Sequence, residues 1–283
     1  GVPGIDTAAL QAWVGRQETR VDVITEAPVA GLSATLDYPS SLAEHGQPLP
    51  LLWHWLYFLP SPAASAVDVD GHAKRGGFLP PVPLPRRMWA GSSLRFISPL
   101  QVGDAVRRVS TIAEVLHKHG ASGDLVFVKL RHQVFRADQL AIEEEQDLVY
   151  RQANTSNAVP AAKPAPLPAQ WSREVLPDPV LLFRYSALTF NSHRIHYDRD
   201  YARKEEGYAG LVVQGPLTAT LLLDLLRREM PQAEIETFSF RGVRPLSDGR
   251  PLLLQGARDK GGARLWALDA SGALAMDARV GLL

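Results

Sequence analysis

Gly215-Pro216-Leu217-Thr218-Ala219-Thr220-Leu221-Leu222-Leu223-Asp224-Leu225-Leu226 is the stretch on which the architecture turns. Pro216 suits a first helical turn, where the N–H it lacks would have had no partner. Leu217, Thr220, Leu221, Asp224 and Leu225 then recur at helical spacing until Pro231 stops the run. Almost every side of the stretch is apolar as far as Leu226, so the spacing predicts a helix buried all round, as a helix wrapped by a sheet is. Candidate strands follow it. Phe240 leads to Pro245-Leu246-Ser247-Asp248-Gly249, and β-type segments then run over 252–258, 263–269 and 274–280.

The same order is echoed upstream. Phe96-Ile97-Ser98-Pro99-Leu100-Gln101-Val102-Gly103 leads into a strand-like segment over 105–115, with further β-type segments at 125–135 and 147–151. A shared Pro-Leu-x-x-Gly followed by alternating strands reads as a duplicated α+β unit. The upstream counterpart of the apolar helix is then Pro50-Leu51-Leu52-Trp53-His54-Trp55-Leu56-Tyr57-Phe58-Leu59, whose aromatic residues are expected in the core. Residues 63–87, rich in Gly, Pro and basic side chains, have no clear period, and loops of that length are functional or disordered. Val159-Pro160-Ala161-Ala162-Lys163-Pro164-Ala165-Pro166-Leu167-Pro168 has little to bury and several fixed proline φ angles, which favours an extended spacer. The expected organisation is an N-terminal domain at 1–157, a linker at 158–170 and a C-terminal domain at 171–283.

Composition narrows the partners. Among 283 residues, 30 basic side chains cancel 30 acidic ones, so no global field draws the chain to nucleic acid or to an anionic membrane. The absence of cysteine removes disulfides, thiolate metal sites and thiol nucleophiles, and fits a reducing compartment. The first residues lack the pattern of a signal peptide, and the longest apolar runs fall short of the ~20 residues that span a bilayer. A cytoplasmic protein without membrane or nucleic-acid partners is the expectation.

The densest polar cluster is Ser186-Ala187-Leu188-Thr189-Phe190-Asn191-Ser192-His193-Arg194-Ile195-His196-Tyr197-Asp198. Two histidines and an asparagine so close together suit general acid/base work near neutral pH. His193, His196 and Asp198 lack the spacing of a metal site, and no metal is expected. Val213-Gln214-Gly215 then enters the buried helix, and a helix N-terminus offers unpaired N–H groups and positive dipole to a developing oxyanion.

Together, the stretch from Thr189 to Asp198, Tyr201-Ala202 and the entrance from Gly210 to Leu217 resemble the signature of the MaoC-type (R)-specific enoyl-CoA hydratases. That family's loop reads Ser-Gly-Asp-x-Asn-Pro-x-His and its helix entrance His-Gly. By position the histidine is His196 and the glycine Gly215, while the aspartate is replaced by Asn191, the loop asparagine by His193 and the entrance histidine by Gln214. With Arg75-Gly76-Gly77-Phe78-Leu79-Pro80-Pro81-Val82-Pro83-Leu84-Pro85-Arg86-Arg87-Met88-Trp89-Ala90-Gly91, the chain is similar to the double hot-dog subgroup, which holds mesaconyl-C4-CoA and itaconyl-CoA hydratases and mitochondrial 3-hydroxyacyl-thioester dehydratases.

The resemblance implies two antiparallel sheets, each wrapping a central helix, with the chemistry in the second domain and the first shaping the pocket. It implies hydration of a 2,3-unsaturated acyl-CoA, a short branched dicarboxylyl thioester of itaconate degradation, with CoA entering only as part of the substrate. A homodimer is compatible with it. His196 would take a proton from water, Gly215 N–H would hold the enolate, and Asn191 would orient water or substrate. Because an amide accepts no proton at neutral pH, His196, with an ordinary pKa of ~6.5, would serve both proton transfers. Arg75, Arg86 and Arg87 would meet CoA phosphates, the Arg86-Arg87 pair or Arg194 a substrate carboxylate, and His193 and Gln214 would line the site. A dehydratase of fatty acid metabolism, a hot-dog thioesterase and a non-catalytic acyl-CoA-binding subunit are the competing classes.

Overall fold

The computed structural model describes residues 4–39, 42–121, 123–153 and 161–283; of the linker assigned to 158–170, the first three residues lie outside the described ones. The first half contains α1 (Thr7–Gln11), β1 (Gln17–Val23), α2 (Glu26–Thr35), β2 (Arg86–Phe96), β3 (Ala105–Gly120), β4 (Gly123–Arg136) and β5 (Gln139–Arg151). The second contains β6 (Trp171–Val175), α3 (Pro179–Leu188), α4 (Arg199–Lys204), α5 (Gly215–Glu229), β7 (Ile235–Gly242), β8 (Leu252–Asp259), β9 (Gly262–Leu268) and β10 (Leu274–Leu282).

All the strands join one 10-stranded antiparallel sheet in the order β1-β3-β4-β5-β2-β7-β10-β9-β8-β6. Read inward from either edge the connectivity is the same, first strand, third, fourth, fifth, second, so the echo in the sequence is a repeat of topology. The two expected sheets are therefore halves of one, fused where β2 pairs with β7 from Gly91↔Arg241 to Arg95↔Thr237. Gly91 makes this seam possible, since a Cβ there would lie 2.2 Å from the carbonyl oxygen of Phe240.

The halves differ at their centres. In the second half α5 is the expected buried helix, with every residue from Leu217 to Leu226 out of solvent against β6, β8, β9 and β10. Each fully buried leucine in it contributes ~1.5–3 kcal/mol. Its one internal charge, Asp224, is matched by Arg173 at 3.2 Å and Arg228 at 3.0 Å and accepts a hydrogen bond from Tyr38 Oη.

In the first half the helix expected over 50–59 is absent, and only a four-residue 3₁₀ turn, Trp53–Leu56, stands in its place. Leu52 and Phe58 sit at positive φ (76° and 59°), a left-handed conformation that breaks an α-helix on both sides of the turn. Trp53, Tyr57 and Phe58 still reach the core as expected. α2, Trp53 and Leu56 cover one part of the first half's sheet and Leu10, Val82 and Leu84 another, and between them a cavity of about 1430 Å³ is bordered by residues of β1, β3, β4 and β5 and runs to the polar loop of the second half. No helix among the described residues is long and apolar enough to cross a membrane.

Candidate active site

The polar loop is placed by the helix before it and the helix after it. α3 is started by Asp178, whose carboxylate accepts from Leu181 N at 2.8 Å, and it ends at Thr189. Phe190 follows at φ 49°, where the resembling family has glycine, and this left-handed residue turns the chain so that Asn191 N donates back to Ser186 O at 2.8 Å. The entrance to α5 is tied to α3 by the buried amide of Gln214, whose Nε2 donates to Leu182 O at 2.9 Å and to Ser186 Oγ at 2.8 Å. Gln214 borders the cavity, but its donors are spent on this tie.

His196 closes a short 3₁₀ turn, Arg194–His196, and is 7% exposed. Its Nδ1 donates to Val212 O at 2.6 Å, and in return Val212 N donates to Ile195 O at 2.9 Å. The bond to Val212 O fixes the tautomer of the neutral ring, leaving Nε2 without a proton. Burial lowers the imidazole pKa to about 4, with His193 and His72 adding to the effect, so the ring is neutral at pH 7. The ordinary value near 6.5 expected for it is thus corrected by desolvation: resting His196 is a base and holds no proton to give.

Three residues beyond Val212, Gly215 opens α5 with an N–H that has no intrahelical partner. A Cβ on Gly215 would meet nothing within 4 Å, so the glycine leaves open cavity in front of the helix N-terminus. Asn191 lines the same cavity. Its Oδ1 accepts from His193 N at 3.1 Å, which leaves the Nδ2 donor to meet water or substrate. His196, Asn191 and Gly215 therefore border one cavity.

His193 is buried with its ring edge-on to that of His196, centroids 5.6 Å apart, and its Nε2 faces Glu206 Oε2 at 3.2 Å. Burial alone would raise the Glu206 carboxyl, but His193 and Arg86, 3.4 Å away, hold it below the usual range. On its other side His193 stacks on His72, centroids 3.9 Å apart, which arrives from the long loop of the first half. Burial lowers the His72 pKa to about 4, and its Nδ1 bonds Asp70 Oδ2 at 3.1 Å. Sequence reasoning missed His72 and Glu206, which border the cavity, and Asp70, which holds His72; for Asp70 and His72 the signal was the length and composition of the loop at 63–87, and for Glu206 there was none.

Asp70, His72 and His193 have possible metal-ligating atoms within 4.8 Å of one another. Hydrogen bonds to one another and to Glu206 already occupy facing atoms of this group. Asp198 is not in it: it caps α4 by accepting from Tyr201 N at 3.1 Å and pairs with Arg194.

The long loop is docked by backbone. Ser192 Oγ donates to Gly71 O at 2.6 Å and Arg194 N to Asp70 O at 2.8 Å. Gly71 has φ 90°, and a Cβ on it would fall 1.8 Å from Ser192 O. Gly71→Ala is therefore expected to undock His72 from His193, at a cost of ~1–3 kcal/mol. Thermal unfolding and the rate should both register it; an unchanged rate would separate the docked loop from the chemistry.

The arginines divide differently from expectation. Arg194 does not line the cavity: its guanidinium pairs with Asp198 at 2.9 Å, donates to Val69 O at 3.2 Å and lies over Tyr201, so it is a tie between loops and is removed as a carboxylate ligand. Arg75 borders the cavity but donates to Val82 O at 2.7 Å, Leu84 O and Pro85 O at 3.0 Å, holding its own loop. Arg86 donates to Glu205 O at 2.5 Å and pairs with Glu206. Arg87 lines the cavity beside Tyr150, to which it is hydrogen-bonded, and has no carboxylate in salt-bridge range among the described residues.

The family model for hydroxyacyl-thioester dehydratase type 2 matches residues 52–248. Mesaconyl-C4-CoA hydratase of Chloroflexus aurantiacus is 47% identical over 281 residues, 98% of this chain and 99% of that protein. A mitochondrial hydroxyacyl-thioester dehydratase type 2 of Schizosaccharomyces pombe is 30% identical over 261 residues, 82% of this chain and 87% of that one. Among solved structures, a MaoC-like dehydratase from Phytophthora capsici superposes with a TM-score of 0.71 at 12% identity, covering 99% of this chain and 98% of its own. A conserved hypothetical protein from Mycobacterium tuberculosis with a double hot-dog fold gives 0.58 at 16% identity, covering 95% and 96%. These two likenesses show the fold, which is a double hot-dog.

Proposed function

The chain belongs to the hydroxyacyl-thioester dehydratase type 2 family, and on that premise we propose that it reversibly hydrates a 2,3-unsaturated acyl-CoA. The observation that carries this reading is the bond from His196 Nδ1 to Val212 O, which pins a neutral imidazole on the loop that faces the open N-terminus of α5. The thioester oxygen accepts from Gly215 N–H, where the helix dipole favours the negative charge of the enolate. His196 Nε2 takes a proton from water as the oxygen attacks C3, while Asn191 Nδ2 donates to that oxygen and holds it in line. The imidazolium so formed is disfavoured by its burial and returns the proton to C2, which balances the addition. Dehydration is the same path reversed.

The acyl group is a short dicarboxylyl chain, a reading supported by the substrate in the name of the 47% identical relative. It fits a role in the breakdown of itaconate-type dicarboxylates in the cytoplasm. Residues 171–283 carry the chemistry and 1–157 shape the pocket, with Arg87 as the cation best placed for CoA phosphates. A homodimer fits the reading, and no cofactor besides the CoA of the substrate enters it. The test is a panel of enoyl-CoAs, including itaconyl-CoA, mesaconyl-C4-CoA and crotonyl-CoA, followed as 3-hydroxyacyl-CoA formed.

The pH profile should carry the mark of burial. His196 must be neutral to act, and its pKa is about 4. Thus kcat/KM should stay flat from neutral pH to about 5 and fall below about 4, the pH where the free enzyme's base becomes protonated. A midpoint near 6.5 would show a solvated imidazole instead. Stability moves in the same direction: below about 6.5 the unfolded chain binds a proton that the folded one refuses, so the native state weakens as pH falls.

A further inference from the structure

The part of the first half's sheet that borders the cavity is not uniformly apolar. A row of polar side chains crosses it from strand to strand: Arg20 and Glu18 on β1, Arg108 and Ser110 on β3, His132 on β4, Glu144 and Gln146 on β5, and Ser92 on β2. Their pairing is set by register, Arg20↔Arg108, Ser110↔His132, His132↔Glu144 and Ser92↔Gln146. All but Ser92 border the cavity. Burying such a row is costly unless each group finds a partner.

Nearly every group has one. His132 Nε2 donates to Gln146 Oε1 at 2.8 Å and its Nδ1 lies 2.7 Å from Ser110 Oγ, while burial lowers its pKa and keeps the imidazole neutral. Glu144 accepts from Trp55 Nε1 at 3.1 Å and Ser92 Oγ at 2.8 Å, and its other neighbour is His54 Nε2 at 2.9 Å. Arg20 is taken by Glu18 at 2.5 Å. Arg108 is the exception. It lies over the Phe58 ring at 5.3 Å, makes no ion pair among the described residues, and its Nε is buried without a hydrogen-bond partner. Glu18 and Glu144 oppose its charge only from beyond salt-bridge range, and a desolvated guanidinium over an aromatic face with no hydrogen-bonded carboxylate can take a bidentate anion.

We infer that Arg108 receives the distal carboxylate of an acyl chain that enters the first half, so that the cavity selects dicarboxylic half-thioesters over chains ending in methyl. The inference rests on the reading that this cavity takes an acyl-CoA, and it moves carboxylate recognition from the loop arginines of the second half to a strand of the first. Gly215 and Arg108 border the same cavity, so a thioester held at Gly215 can present its distal carboxylate to the row, which gives the helix-poor half a specificity function.

The test measures binding without turnover. Calorimetry compares saturated ω-carboxyacyl-CoAs, from succinyl-CoA to adipyl-CoA, with neutral acyl-CoAs of matching length such as pentanoyl-CoA. Wild type should prefer the acid at one length or more by about 10- to 100-fold, the worth of charge-assisted hydrogen bonds. In Arg108→Met that ratio should fall to within about threefold of one, while Arg194→Lys, altered outside the cavity, should leave it in place. Should the Met variant not fold, Arg108→Lys decides: without the planar fork the preference should drop at least about threefold. No preference at any length in wild type, or a full preference kept in the Arg108 variant, overturns the inference. Hydration of crotonyl-CoA with no acid preference would sink the subsite and spare the hydratase; acid binding that depends on Arg108 without any hydration would do the reverse.

Discussion

His196→Ala is expected to lower kcat/KM for the best enoyl-CoA by ~10²–10⁴, the usual contribution of one positioned acid/base group. The imidazole of His196 is a neutral base with its Nε2 free, and Asn191 stands where the resembling family has a carboxylate that would share the work. The replacement also removes the bond to Val212 O, so part of the loss could come from a loosened loop. His196→Asn separates the two effects. Its amide N–H can still reach toward the Val212 carbonyl, but it cannot accept the proton. An Asn variant as inactive as the Ala variant, yet with a melting temperature nearer wild type, assigns the loss to proton transfer. Activity within threefold of wild type in either variant would remove His196 from the mechanism.

Gly215→Val should be nearly as damaging, for the opposite structural reason. A Cβ at Gly215 would meet nothing within 4 Å and Gly215 borders the cavity, so a valine there is expected to cost the fold little. They stand where the thioester oxygen must approach the helix N–H. Losing one oxyanion donor costs ~10²–10³ in rate, and exclusion of the substrate raises KM as well. The expected signature is an unchanged unfolding curve with activity near background. A valine variant that hydrates normally would place the thioester elsewhere in the cavity.

The sequence disclosed what local pattern controls. An apolar stretch begun by Pro216 and stopped by Pro231 can only be a buried helix, and α5 runs from Gly215 to Glu229. The alternating segments after Phe96 and Phe240 became β3–β5 and β8–β10, each longer than or close to its expected span. His196 and Gly215 were legible because their loop and helix entrance are contiguous motifs. What stayed hidden depends on distant partners. Arg194 looked like a ligand from its place beside the loop, but Asp198, one helical turn on, takes its charge. The stretch from Pro50 to Leu59 had the composition of a helix, and only the left-handed Leu52 and Phe58 reveal why it forms a 3₁₀ turn. His72 stacks on a histidine more than a hundred positions away, and the polar row through Arg108 exists only when five strands are in register. No window of sequence contains either.

The central claim is that this cavity adds water across a 2,3 double bond and leaves the thioester whole. It is tested most directly by incubating mesaconyl-C4-CoA or crotonyl-CoA with the enzyme in D₂O and identifying the product by mass spectrometry and NMR, with free thiol measured alongside. The expected result is a 3-hydroxyacyl-CoA carrying one deuterium at C2, no release of CoA thiol, and loss of both product and label in His196→Ala. Release of CoA thiol from these substrates and from saturated acyl-CoAs alike, with no 3-hydroxyacyl-CoA, would contradict it and make the site a thioesterase.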